Sequence, residues 1–201
     1  AAIYSKEDLI INGNGTLNVN AGYRNGIKST DDCIIVSGTL NITSTEDGII
    51  GKDLCGVVAG DININAGSDG IKSTYDTDTT KGNVIIEGGN ITIKASNDGI
   101  QAENILVIND GAINIKTNNG AADTTQTHID NMDMGRGGFG FNNNKTTTTT
   151  DDTSESRKGI KAGNMLIIND GDITIDSDDD SVHCNSVIYI YGGTINAATG
   201  D

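Results

Sequence analysis

Apolar and polar residues alternate along this chain in short runs, and the runs return at a fixed interval. A five-residue phrase starts at Asn25, Asp47, Asp69, Asp98, Lys158 and Asp180. The starts at 25, 47 and 69 lie 22 residues apart, as do those at 158 and 180. The two longer gaps exceed 22 by insertions of 7 and 38 residues, and Ala1 opens a further unit of 24, so the chain holds seven units. A fixed period in this range marks a solenoid, in which each unit buries its apolar face against its neighbours.

Period-two alternation separates inward from outward positions within a unit. Counting the first residue of the phrase as one, position three is Ile27, Ile49, Ile71, Ile100, Ile160 and Val182. Position eleven is Ile35, Val57, Ile86, Ile108, Ile168 and Ile190, and position sixteen is Leu40, Ile62, Ile91, Ile113, Ile173 and Ile195. Positions five, nine and eighteen complete three short strands, separated by Gly-containing corners such as Ser37-Gly38, Gly88-Gly89 and Gly192-Gly193. Three strands per 22-residue turn predict a parallel β-helix, with like side chains stacked from rung to rung. At about 4.8 Å per rung, seven rungs make a rod of roughly 30 to 35 Å. A leucine-rich repeat has a similar period but needs a Leu-rich signature and a helix on its convex side, and the sequence has neither.

A repeat running end to end predicts one domain over residues 1–201, with a short loop insertion at 74–82 and a low-complexity insertion at 120–157. Proline is absent and aromatic residues make up 3%, while Asp outnumbers Glu 23 to 5. That bias favours turns and hard-cation ligands over helices. The net charge of −15 argues against nucleic acid or an anionic membrane surface as partner, and no stretch is long and apolar enough for a membrane span. Cys33, Cys55 and Cys184 are too few and too dispersed for a disulfide framework or zinc site. Cys33 and Cys55 share one inward column, where parallel Cβ vectors suit a disulfide poorly, so both are expected as buried thiols.

The outward columns of the first strand hold the candidate chemistry. Position two (Gly26, Gly48, Gly70, Gly99, Gly159, Ser181) has almost no side chain and is expected to form a shallow floor. Beside it, position four carries Tyr4, Lys28, Ile50, Lys72, Gln101, Lys161 and His183, a cationic and polar line suited to acidic sugars. Position one stacks Asp47, Asp69 and Asp98 in consecutive rungs. Carboxylates about 4.8 Å apart repel by about 1 kcal/mol in water and roughly 3.5 kcal/mol at an effective dielectric of 20, a cost that a divalent cation removes. The alternative is that each Asp caps its own Asp-Gly corner. Two insertions flank this strand and can wall a groove. The shorter brings Tyr75, a sugar-contact candidate, with Asp76 and Asp78, a common calcium-loop pairing. Asp178-Asp179-Asp180 near His183 gives Asp179 and Asp180 as further metal candidates. The longer holds His128, Phe139 and Phe141, which serve either as a sugar-stacking lid or in a disordered excursion.

No enzyme constellation stands out. Glycoside hydrolysis needs two carboxylates at a controlled separation, and nothing singles out a pair among 23 Asp. A uronate β-elimination would need calcium and a base, for which Lys72 or Lys161 could serve.

Units such as Asp98-Gly99-Ile100-Gln101-Ala102 through Gly111-Ala112-Ile113-Asn114-Ile115, and Lys158-Gly159-Ile160-Lys161-Ala162 through Gly171-Asp172-Ile173-Thr174-Ile175, resemble a bacterial family of carbohydrate-binding, polysaccharide-lyase-like β-helix proteins. The opening Ala2 to Lys6, with Leu9 to Gly13 and Gly15-Thr16-Leu17, resembles that family's first unit. The resemblance implies an all-β, right-handed parallel β-helix, secreted or at the cell surface. It further implies binding of cellulose or acidic polysaccharide with calcium, on Asp47, Asp69, Asp98 and Asp180, and similarity to pectate lyases without established lyase activity. Lys158 departs from the pattern and would interrupt a metal ladder unless its ammonium replaces the ion.

The expectation is therefore calcium-assisted binding of an acidic or cellulosic polysaccharide over the first strand. A calcium-dependent pectate-type lyase is one alternative. A structural β-helix, stacking end to end or continuing into a longer chain, is another. The apolar outward column at position ten (Ile10, Ile34, Gly56, Ile85, Val107, Ile167, Tyr189) points to a covered face.

Overall fold

The fold was analysed in a computed structural model that describes residues 1–122 and 156–200. Each unit contributes three strands, and every strand pairs in parallel with its counterpart in the next unit, giving three seven-stranded sheets. The first sheet uses three-residue strands, from Ile3–Ser5 and Ile27–Ser29 to Ile160–Ala162 and Val182–Cys184. The second runs from Leu9–Ile11 to Val187–Ile190. The third is the widest, with a six-residue strand in every rung, from Thr16–Ala21 to Thr194–Thr199. This is the parallel β-helix that the repeat predicts. Both insertions leave the register intact: Ile71 pairs with Ile100 across the first, and Ile100 with Ile160 across the second.

Stacked isoleucines hold the rod together. Ile27, Ile49, Ile71, Ile100 and Ile160 are fully buried, as are Ile86, Ile108 and Ile168 of the second sheet, and Ile62, Ile91 and Ile113 of the third are nearly so. Complete burial of each such side chain is worth about 1.5–3 kcal/mol, and a β-branched residue suits the pleated surface on which it stacks. Cys33 and Cys55 are register partners, buried, and free thiols. A hydrogen bond with Cys33, and then burial, pushes the Cys55 thiol well above its usual range.

The glycine column at position two differs from its expected role. These residues are buried and form no floor for a ligand. A Cβ on Gly48 would lie 2.5 Å from the Gly70 carbonyl oxygen and 2.5 Å from the Ile64 Cγ2, and one on Gly70 would meet Gly99 and Ile93 in the same way. The chain turns here so close to the next rung and to the third sheet that only a hydrogen fits. Ser181 ends the column, its hydroxyl donating to the Ala198 carbonyl at 2.9 Å.

Candidate functional site

On the first sheet, the predicted sugar-contacting lysines and the predicted metal carboxylates meet one another. Lys72 Nζ stands 2.5 Å from Asp69 Oδ2, and Lys161 Nζ 3.4 Å from Asp98 Oδ2. Lys158 pairs with Asp179 and, at 3.0 Å, with Asp180, so its ammonium bridges the two carboxylates. His183 Nδ1 is 2.8 Å from Asp180 Oδ2, and Nε2 is 3.0 Å from Asn185 Oδ1. Gln101 donates to Glu103 at 3.2 Å. Lys28 has no ion pair among the described residues.

The aspartates of position one have a second task. Asp47 Oδ1 accepts the Asp69 N–H at 3.1 Å, Asp69 Oδ1 accepts the Asp98 N–H at 3.0 Å, and Asp98 Oδ1 accepts the Lys158 N–H at 2.7 Å. Each carboxylate thus caps the next rung, satisfying a buried donor that the turn leaves without a strand partner. Asp69 and Asp98 are 3% and 1% exposed, so these bonds are made away from water. Burial pushes the Asp69 carboxyl up, against the pull of Lys72. Burial alone would lower Lys72, but Asp69 holds its ammonium above the usual range.

The short insertion folds onto the corner between the first two strands. Two ammoniums approach the Tyr75 ring, with Lys52 Nζ 4.6 Å and Lys81 Nζ 5.0 Å from its centroid. Lys81 also pairs with Asp53. Asp78 accepts from the Thr80 N–H at 2.9 Å and hydroxyl at 2.7 Å, and these bonds hold its carboxyl below the usual range. Asp76 is exposed. His128, Phe139 and Phe141 lie outside the described residues.

Among the described residues, Asp8, Asp31 and Asp32 bring carboxylate oxygens within 4.8 Å of one another, and none of the three belongs to the predicted set. The Asp31 carboxyl is raised by a hydrogen bond with Asp53 and then by burial and neighbouring charge. Asp32 is raised by burial and then by Asp8 and Asp53, against Lys81. The signal was legible: Asp8 and Asp32 share a position in successive units, as do Asp31 and Asp53.

The third sheet presents a different outer face. Between its inward isoleucines stand Asn18, Asn41, Asn63, Thr92, Asn114, Thr174 and Asn196, one per rung in continuous register. Asn41 Nδ2 donates to Asn18 Oδ1 at 2.9 Å, and Asn63 Nδ2 to Asn41 Oδ1 at 3.2 Å. Each linked amide keeps a further N–H and lone pair free. A shallow groove of about 280 Å³ runs over this face, lined by Asn41, Thr43, Asn63, Asn65, Thr92 and Lys94 with the edges of two isoleucines. The sugar contacts expected from the sequence lie on the charged first strand and not on this column. Its signal is an Asn or Thr between the two inward residues of every third strand.

A solenoid of three parallel seven-stranded sheets places the chain in the class of parallel β-helix proteins. A protein-family model described as "Carbohydrate-binding domain-containing protein" matches residues 1–201, and the chain belongs to that family. A curated protein of that description from Acetivibrio thermocellus is 45% identical over 42 residues, which are 21% of this chain and 15% of that protein. A solved structure, described as the polysaccharide lyase-like protein from C. thermocellum as a gadolinium derivative, superposes with a TM-score of 0.61 at 25% identity. The match covers 96% of this chain and 54% of that one, so the chain spans about half of its structural neighbour.

Proposed function

We propose that this carbohydrate-binding chain holds a polysaccharide along the outer face of the third sheet, over the groove at Asn41, Asn63 and Thr92. The observation that carries the reading is the amide ladder. Its side chains repeat at the rung spacing of about 4.8 Å, they are fixed by bonds to each other, and they offer donors and acceptors to successive hydroxyl groups. Side chains fixed in advance lose little conformational freedom on binding. The first sheet suits a ligand less well, because Lys72 and Lys161 would have to leave carboxylates they already neutralise. Affinity electrophoresis through gels containing soluble glucans and pectins tests the reading. Asn41→Ala with Asn63→Ala should weaken retardation about tenfold, whereas Lys28→Ala should leave it within twofold. The reverse pattern returns the site to the first sheet.

Calcium assistance is a second reading, favoured by the convergence of Asp8, Asp31 and Asp32. Three carboxylates with water can supply the oxygen shell of a calcium ion, and the ion would offset the neighbouring negative charge that adds to the Asp53 hydrogen bond in raising Asp31 and to burial in raising Asp32. Calorimetric titration with calcium should show binding that Asp31→Asn with Asp32→Asn abolishes. Unchanged heats in that variant would sink this placement. A lyase reading gains less support, since a lysine base needs a lowered pKa and Lys72 is shifted upward.

A further inference from the structure

We propose that the third sheet carries an anion position at Lys94, and that this lysine selects glycans bearing a carboxylate or sulfate ester by direct contact. The assignment rests on the reading that sugars lie on this face.

Charges are unevenly matched along one outward column of this sheet. In register, the column reads Asn20, Thr43, Asn65, Lys94, Lys116, Asp176, Ala198. Lys94 and Lys116 are direct partners on adjacent strands, Asn90–Ala95 and Ala112–Thr117, an arrangement of like charges that is unfavourable when nothing offsets it. Lys116 is offset on its other side, where its Nζ lies 2.8 Å from Asp176 Oδ2. Asp176 is fully engaged, since it also accepts the Ala121 N–H at 2.8 Å; Lys116 first and that bond second hold its carboxyl below the usual range. Lys94 has no such partner. Its neighbour on the open side is neutral Asn65, and the acid of the same strand pair, Asp61, accepts from Asn90 at 2.8 Å. Lys94 makes no ion pair among the described residues, and it lines the groove.

The column is therefore one anion short, and the shortfall lies where the amide ladder would hold a sugar. A carboxylate or sulfate group reaching Lys94 would form a charge-assisted hydrogen bond, the stronger kind, while ring hydroxyls meet Asn63 and Thr92. On a chain of net charge −15, an anionic polymer needs a local cation that is not already spent. Lys72, Lys158 and Lys161 are spent on aspartates; Lys94 is not. Recognition through Lys94 also requires no bridging metal, which separates it from the calcium reading.

The test compares retardation by polygalacturonate, fully methyl-esterified pectin, dextran sulfate and a neutral xyloglucan, with chelator present throughout. The wild-type chain should bind polygalacturonate more tightly than its methyl ester. Lys94→Gln should lower polygalacturonate affinity about tenfold and leave xyloglucan within twofold. Asp176→Asn, which releases Lys116, should raise affinity for the anionic glycans. The polygalacturonate and dextran sulfate arms tell a carboxylate partner from a sulfate ester. Equal loss for acidic and neutral glycans in Lys94→Gln, or no change for either, overturns the assignment while leaving the face itself standing. A wild-type chain retarded by no glycan overturns both.

Discussion

The first and third sheets share one register and one core, yet their outer faces are opposites. The outer groups of the first are charged and largely satisfied internally: Asp69 and Asp98 each cap the next rung with one oxygen and hold a lysine with the other. Those of the third are neutral amides and hydroxyls that bond lightly to each other and keep capacity for solvent or ligand. The difference follows from strand length and turn geometry. Three-residue strands beside a tight turn leave backbone donors that need side-chain acceptors. Six-residue strands satisfy their own backbone and free their side chains.

The largest expected effect of a substitution lies at the glycine column. Gly48→Ala should cost about 3 kcal/mol or more in a denaturant titration, because the new Cβ meets backbone carbonyl that cannot yield. A loss under about 1 kcal/mol would mean that the rungs can separate locally. Next is Asp98→Ala, which strips the Lys158 N–H of its acceptor and Lys161 of its partner in a buried setting, for an expected loss of about 2–3 kcal/mol. On the third face Asn63→Ala should change stability by less than about 0.5 kcal/mol while weakening glycan retention. A large stability loss there would make the amide ladder structural and erase the contrast.

Titration sharpens the same contrast. Lys72 and Lys158 are raised in the folded chain, so the stability they contribute is complete below the unfolded lysine pKa of about 10.4 and disappears as pH rises through the folded values. Asp31, Asp32 and Asp69 are raised as well, so the folded chain binds their protons more readily than the unfolded one. Stability should therefore rise as pH falls from neutral toward the ordinary carboxylate range near 4. Asp176 and Asp78, held low, act oppositely: their contribution is present above that range and is lost as pH falls below it. Thermal melts should show Tm rising as pH falls from neutral toward about 4, with Asp31→Asn plus Asp32→Asn flattening that gain. A Tm that climbs steadily from neutral to alkaline pH would contradict this ordering.

Spacing alone determined the rung count, the strand positions and the inward columns, because a solenoid's register is local in sequence once the period is known. Family membership followed from the same phrases. The partner of each outward charge was decided only by the tertiary structure. Lys72 reaches Asp69 within its own rung, whereas Lys161 reaches back one rung to Asp98, and the sequence shows the same Lys at the same position in both. Nor could the column of glycines reveal from composition whether it lay open to solvent or against the next turn. The shared positions of Asp8 and Asp32 are visible in the period, but the approach of their carboxylates to that of Asp31 is set only by the stacking of the first two rungs. Inward positions repeat because every rung meets the same core, so their pattern is written in the period. Outward side chains are long, and they choose among neighbours above, below and beside them, which only the stacked rungs define.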